Sequence, residues 1–269
     1  MLVQRSRTGR TLRAALDNGR VEVHYQPQVD LSKQTVDTVE ALVRLRDDTG
    51  QLIAPSEFIA YAEETGLIIP LSCAVLADAC QQINRAQALG HRLHVAINVS
   101  IVQFAQPDFV DSLCEQCKTH GVEPSCIEIE ITEGLLMRDA DNLRGVLDQL
   151  RLHGFRVALD DFGTGYSSLA YLSQLPIDVL KIDMSFVSRL TTSRQCVSIA
   201  TAIIQLGKSL HMGLIAEGVE TQEQVDLLLA MGCKTMQGYF YSKPMPADEL
   251  MAWLHLRNDA GREQACVDT

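Results

Sequence analysis

The chain has 269 residues, 46% of them hydrophobic, and a formal net charge of −11. That length suits one large core, since α/β barrels often run ~200–250 residues as a single domain, and the acidity argues against a broad footprint on duplex nucleic acid. No apolar run approaches the ~18–20 residues of a membrane span and no hydrophobic signal-peptide core opens the chain, so a cytoplasmic protein, or a cytoplasmic module of a larger one, is expected.

Residues 1–10 carry Arg5, Arg7 and Arg10 with little apolar pattern and read as a linker or N-terminal extension. Leu12, Ala15 and Leu16 make a short helical face closed by Asn18-Gly19. Residues 21–26 alternate as a strand that stops at Pro27, and 35–45 form a second strand. The turn between them is too short for a helical crossover, which makes this pair antiparallel. A helix start at 55–63 and a long amphipathic helix at 67–89 follow. Strands at 93–98, 127–132, 156–159, 179–183, 213–217 and 235–239 then alternate with helices at 107–120, 139–153, 167–174, 194–210, 221–231 and 247–256, several of them closed by glycine. The polar stretch 258–269 reads as a loose tail. Repeated strand–helix units imply parallel pairing with right-handed crossovers. Eight strands at this length favour a closed barrel over an open sheet. The expected fold is α/β: a modified TIM-like (β/α)8 barrel over residues 11–257 with an antiparallel first strand pair.

The stretch from Phe155 to Leu169 concentrates the chemistry. A short apolar strand ends at adjacent carboxylates, Asp160 and Asp161, and Gly163 and Gly165 then break regular structure. Gly163-Thr164-Gly165 lacks the third glycine of a dinucleotide fingerprint. An acidic pair after one strand can be no more than a solvated turn. Barrel chemistry, however, collects at the C-terminal ends of the strands. There stand Glu40, Asn98, Glu130, Asp160 with Asp161, Lys181, Glu217 and Gln237, one or more on every strand from the second onward. Carboxylates and an amide carbonyl are hard oxygen donors suited to Mg²⁺ or Mn²⁺, and carboxylates crowded into one mouth repel unless cations lie between them. With one lysine among them, the set matches two-metal attack of water on a phosphodiester. Eight cysteines scattered along the chain suit reduced thiols. Cys114, Cys117, His120 and Cys126 have a spacing that could suit zinc, but the first three fall at i, i+3, i+6 of a helix and drift round its surface.

These residues resemble those of the EAL-domain phosphodiesterases that hydrolyse cyclic di-GMP. The resemblance rests on Tyr25-Gln26-Pro27, Glu40-Ala41-Leu42-Val43-Arg44, Asn98-Val99-Ser100, Glu130-Ile131-Thr132-Glu133, Asp160 to Gly165, Lys181-Ile182-Asp183, Glu217-Gly218-Val219-Glu220 and Gln237-Gly238-Tyr239, in that order. It implies a first metal on Glu40, Asn98, Glu130 and Asp160, and a second bridged by Asp160 and held by Asp161 and Glu217. Lys181 and Gln237 would position the attacking water, with Glu217 the candidate general base and linear pGpG the product. Glu133, Glu220 and Asp183 would support this set, Glu133 tethering the 162–168 loop and Glu220 lying near Lys181. Gln26, Leu42 and Arg44 would contact substrate, Arg44 at a phosphate, with Tyr241 and Pro244 on the guanine side. Two Mg²⁺ or Mn²⁺ ions would serve, and Ca²⁺ would inhibit. The resemblance also implies a homodimer near the 162–168 loop, where Leu169, Tyr171 and Leu172 add apolar surface, and possible fusion to sensor or cyclase domains. Many members carry Trp where this chain has Leu45. Two other readings are a cyclic di-GMP receptor without turnover and an unrelated metal-dependent barrel enzyme of aldolase or enolase type.

Overall fold

A computed structural model describes residues 2–33, 36–47, 49–136, 140–165 and 172–267. The strands are β1 (Glu22–Asp30), β2 (Thr38–Arg46), β3 (Leu52–Ile53), β4 (His94–Asn98), β5 (Ile127–Thr132), β6 (Arg156–Phe162), β7 (Val179–Ile182), β8 (Gly213–Ala216), β9 (Thr235–Met236) and β10 (Met245–Pro246). Eight of them close into a ring in the order β1-β9-β8-β7-β6-β5-β4-β2, which returns to β1, while β3 and β10 extend β2 and β1. Seven ring strands are parallel, as the intervening helices require. β1 alone runs against both neighbours, β2 and β9. Helices Pro55–Thr65, Ile68–Ala88, Phe109–His120, Ala140–Leu152, Arg194–Ser209, Gln222–Met231 and Ala247–Val267 are the longer ones after β1. The apolar faces of all but Pro55–Thr65 meet the outer wall of the ring in one continuous core.

Some expectations shift. β1 does not stop at Pro27 but runs on to Asp30, with Pro27 opposite Val39. Its other edge meets β10 at His24 and Tyr25 and β9 at Val29 and Asp30. Pro27 falls between these two pairings, where a missing N–H breaks no registered ladder. The stretch read as a linker or N-terminal extension is helical from Leu2, in helix Leu2–Asp17. Gly9 lies so close to the Tyr61 ring that a Cβ there would overlap it. Leu12 and Phe58, both fully buried, fuse this helix to Pro55–Thr65 in a second cluster that includes Leu45. The absent Trp therefore leaves no hole at that position, since Leu45 faces the core and is 2% exposed. Helix Ala247–Val267 likewise runs into the stretch read as a loose tail, as far as Val267. The expected helix at 167–174 falls mostly outside the described residues, as do Leu169 and Tyr171. Leu172 is fully buried and offers no surface to a partner.

β9 ends at Met236, three residues before the sequence pattern does, because the chain turns at Gln237. Gln237 N–H donates to Ala216 O at 2.8 Å, and Val219 N–H and Phe240 N–H bind back across the turn at 3.1 and 2.9 Å. Gly238 fits this crossing only because it has no Cβ, which would overlap the Val219 backbone. Gly238→Ala is expected to cost about 1–3 kcal/mol or more, as overpacking against an unyielding backbone does, and to lower the thermal midpoint. Gly145→Ala, on the exposed face of Ala140–Leu152 with open space around it, should leave the midpoint unchanged or raise it.

Candidate metal centre

Pairing carries side-chain facing from strand to strand round the ring. Glu40 is opposite Ala96, Asn98 opposite Glu130, and Glu130 opposite Ala158. Val179 is opposite Ala158, Lys181 opposite Ile215, and Ile215 opposite Thr235. Residues two apart share a face, so Glu40, Asn98, Glu130, Asp160, Lys181, Glu217 and Gln237 all lie on one face. Gln26, opposite Glu40, returns the ring to its start on that same face. The step of two residues between successive polar positions follows the tilt of strands in a closed barrel, which brings staggered residues to one height. Ala158, Val179 and Ile215 form a separate small apolar cluster on the same face, below the polar set.

Strict alternation would turn Asp161 away from this face. The β6–β7 register shifts between Leu159 and Phe162, and Asp161 adopts φ 56°. A bulge with a left-handed non-glycine residue is a costly local geometry that concentrates at functional sites. It places carboxylate oxygens of Asp160, Asp161 and Glu217 within 4.8 Å of one another. Both aspartates therefore converge because the strand bulges within Arg156–Phe162, and not because it ends before them as the pattern suggested. Glu133, buried at the start of the short helix Glu133–Leu136, holds the next turn: its Oε2 accepts from Gly163 N–H and Gly165 N–H, each at 3.0 Å.

Lys181 is fully buried at the centre. Its Nζ lies 2.7 Å from Glu217, 2.8 Å from Glu130, 3.3 Å from Asp160 and 3.6 Å from Glu40. Burial works against its charge, yet Glu130, Glu40, Glu217 and Asp160 together hold it well above its ordinary pKa. Burial also pushes Glu40 up, but Lys181 and hydrogen bonds from Gln237 and Asn98 outweigh it and bring Glu40 below its ordinary value. Burial raises Glu130 well above the usual carboxylate range, reinforced by Glu40. Glu217 is pushed up to about 8 by burial, with Asp160 and Glu40 adding to it against the pull of Lys181. Asp161 rises to about 6 through burial, Asp160 and Asp183. Four carboxylates thus crowd round one ammonium, and the raised proton affinities of Glu130, Glu217 and Asp161 register positive charge still wanting.

The donors fit hard divalent cations. Glu130 Oε1 lies against Lys181 Nζ, and its Oε2 is buried without a hydrogen-bond partner, which leaves that oxygen for a cation. Asn98 Nδ2 donates to Glu40 Oε1 at 2.7 Å, which leaves its carbonyl oxygen for a cation. Among the described residues, Asp160, Asp161 and Glu217 are the one such group of three or more that could hold a metal. Cys114, Cys117, His120 and Cys126 bring no three ligand atoms within 4.8 Å of one another.

The remaining expected residues separate. Leu42 and Arg44 line a cavity of about 420 Å³ that also touches Asn98, Pro55, Ile59 and Gln103. Ser100 caps helix Ile101–Phe104 with Gln103, which fixes the chain just beyond Asn98. Asp183 caps Met184–Val187 by accepting from Ser185 N–H at 3.1 Å and lies against Asp161. Glu220 does not reach Lys181: it is exposed, and its N–H donates to Gln224. Tyr241 turns to the core, its hydroxyl 3.5 Å from Met236 Sδ. Pro244 is half-buried and its carbonyl meets His24. Tyr239 and Phe240 are the exposed aromatics on this turn, Tyr239 the more so, beside Arg44 and 5.4 Å from Lys243 Nζ. The place of Tyr239 directly after Gln237-Gly238 was the signal that could have singled it out.

The family model described as EAL domain matches residues 9–244. The bifunctional diguanylate cyclase/cyclic di-GMP phosphodiesterase MucR of Pseudomonas aeruginosa is 41% identical over 242 residues, covering 90% of this chain and 35% of MucR. The cyclic di-GMP phosphodiesterase NbdA of the same organism is 40% identical over 244 residues, covering 90% of this chain and 31% of NbdA. The solved structure of PaMucR phosphodiesterase in its c-di-GMP complex superimposes with a TM-score of 0.87 at 40% identity, covering 90% of this chain and 99% of that one. The chain spans about a third of the length of these two curated relatives.

Proposed function

Because the chain belongs to the EAL-domain family, we propose that it is a metal-dependent phosphodiesterase that hydrolyses cyclic di-GMP to linear pGpG. The observation that carries this reading is the convergence of Glu40, Asn98, Glu130, Asp160, Asp161 and Glu217 around buried Lys181, beside a cavity lined by Leu42 and Arg44. Two Mg²⁺ or Mn²⁺ ions, one on Glu40, Asn98, Glu130 and Asp160 and one on Asp160, Asp161 and Glu217, would acidify the attacking water and offset charge on the phosphoryl oxygens. The chain's own groups do the rest. Arg44 holds a substrate phosphate at the rim, and Leu42 supports the ring system in the cavity. Lys181 keeps a fixed positive charge among the acids. Glu217, whose carboxyl is pushed up to about 8 when no cation is present, takes the proton of the water once added positive charge keeps it ionised. Glu133 holds the Gly163–Gly165 turn and with it Asp161.

The relatives' greater length supports fusion to sensor or cyclase domains in a longer protein. A homodimer is proposed on the family resemblance. Seven free thiols among the described residues suit the reducing cytoplasm, where we place the domain.

Chromatography of cyclic di-GMP after incubation with the protein tests the reading. Mg²⁺ or Mn²⁺ should yield pGpG and EDTA should stop it. Ca²⁺ should permit binding, read by calorimetry, without turnover, because its bonds run ~2.3–2.6 Å against ~2.0–2.1 Å for Mg²⁺ and its coordination is variable. Binding without pGpG in Mg²⁺ and Mn²⁺ would make the chain a receptor, and absence of binding would remove the substrate assignment.

A further inference from the structure

We propose that Cys80 and Cys117 are a redox-sensitive modification site, which a peroxide converts to a reversible disulfide that clamps helix Ile68–Ala88 to helix Phe109–His120 beside the cavity at Arg44. The cross-link stands on its own geometry, and only its effect on cyclic di-GMP rests on the phosphodiesterase reading above. The two helices pack side by side, with Cys80 fully buried and Cys117 1% exposed in one core. Their register is fixed one turn further on, where Asn84 Nδ2 donates to His120 O at 2.8 Å. One turn back, Leu76 and Leu113 are both buried and both line the cavity of about 420 Å³. Residues three and four apart share a helix face, so Cys80 and Cys117 fill the turn between those two pairs and meet. The Cys117 S–H donates to Cys80 Sγ. That bond brings the Cys80 thiol below its ordinary pKa against the effect of burial, and together with burial it holds Cys117 above its own.

A buried cysteine is ordinarily an inert, small apolar side chain. This pair differs in two respects. Cys80 accepts a hydrogen bond that favours its thiolate, the form that attacks. The cavity, which also touches exposed Ile69, reaches Leu76 and Leu113 one turn from the sulfurs, and hydrogen peroxide is little larger than the water such a space admits. Cys80 Sγ attacks one peroxide oxygen and the O–O bond breaks. The departing hydroxide takes the Cys80 proton and leaves as water, and Cys80 becomes a sulfenic acid. Cys117 Sγ then attacks the Cys80 sulfur, the S–O bond breaks, and the hydroxyl leaves with the Cys117 proton as a second water. The two thiols give up two electrons and the peroxide accepts them. In a reducing compartment such a bridge is transient and reports oxidant. Its sulfurs sit about 2.0 Å apart, closer than a hydrogen bond leaves them, so the helices draw together. The cavity between them narrows, and Leu42 and Arg44 line that same cavity.

The test treats the whole chain with hydrogen peroxide in EDTA, blocks the remaining thiols with an alkylating reagent and maps the bridges by peptide mass spectrometry. The expected map has a Cys80–Cys117 bridge that dithiothreitol removes. Both thiols found alkylated, both found as sulfinic or sulfonic acids, or Cys117 bridged to Cys114 or Cys126 instead would each overturn the proposal. The consequence is read by calorimetry with cyclic di-GMP in Ca²⁺. Affinity should fall about fivefold or more on oxidation, the lower end of coupling between distinct sites, and return with dithiothreitol. Cys117→Ala should keep its affinity through the same treatment, with Cys117→Ser as the second variant should alanine unfold the pair of helices. A mapped bridge that leaves affinity unchanged would overturn the clamp on the cavity, as would an equal loss in Cys117→Ala. Absence of binding by the reduced, unaltered protein would count against the phosphodiesterase reading, and the peptide map then still decides whether the two thiols form the bridge.

Discussion

Glu40→Ala is expected to abolish hydrolysis of cyclic di-GMP while the barrel stays folded. Glu40 sits within β2, bonded into the sheet on both sides, with β1 and β4 as neighbours. One carboxylate oxygen accepts from Asn98 at 2.7 Å and the other from Gln237 at 2.5 Å, with Lys181 at 3.6 Å. Deleting it removes a proposed metal ligand and at the same time frees Asn98 and Gln237 to rotate. The rate should fall by more than about 10²-fold, since losing even a partner that only supports a metal ligand costs about 10–100-fold. Stability should change little in the metal-free protein. The substitution removes one of the like charges that raise Glu130 and Glu217, and this relief opposes the loss of the Lys181 contact. Chromatography for pGpG and a thermal midpoint in EDTA check the two halves. Glu40→Gln, which keeps the shape, should not restore the rate. Near-normal turnover by Glu40→Ala would remove Glu40 from the metal set.

Much of this site is legible in the sequence for a simple reason. Strand periodicity fixes which residues share a face, and the faces of neighbouring strands are locked by pairing. The expected strand 127–132 coincides with β5, and the polar residues at its end and at its neighbours' ends meet at one mouth. Parity could not foresee the bulge that turns Asp161 inward, because a bulge breaks the period that the reading depends on. Nor could it find β3 and β10, whose two residues each are too short to show alternation. Pro27 suggested a strand end, although the local gap between β9 and β10 allows the strand to pass through it. Residues beyond the strands fared worse. Tyr241 and Glu220 lie on turns whose direction is set by backbone bonds across the closed ring, such as Phe240 N–H to Val219 O, and no local pattern encodes those. That is why Tyr239, and not Tyr241, presents its ring at the rim.

Lys181→Met is expected to lose hydrolysis and to make stability depend strongly on pH and on divalent cations. Among the described residues Lys181 is the one positive charge paired with Glu40, Glu130, Asp160 and Glu217, and it is fully buried. Removing one partner of a buried ion pair typically costs about 3–5 kcal/mol, because the other charge is left uncompensated. Here the carboxyls can soften that cost by binding protons. Already with Lys181 present, Glu217 is raised from 4.5 to about 8 and Asp161 from 3.8 to about 6. A carboxyl raised in the folded state holds a proton that the unfolded chain has released, so stability falls as pH rises between the two values. For Glu217 that interval runs from 4.5 to about 8. Without the opposing pull of Lys181 it should widen upward. The metal-free variant should therefore have a clearly higher thermal midpoint at about pH 5 than at about pH 8.5, with a steeper difference than the unaltered protein. A divalent cation that binds only the folded state restores stability by about 2.7 kcal/mol at 100 times its Kd. Mg²⁺ or Mn²⁺ should thus flatten the pH dependence even though turnover stays lost, since no group in the variant replaces the ammonium next to the water. A midpoint in EDTA that does not change with pH, and that Mg²⁺ and Mn²⁺ leave where it was, would mean that the acids around residue 181 neither repel one another nor hold a cation.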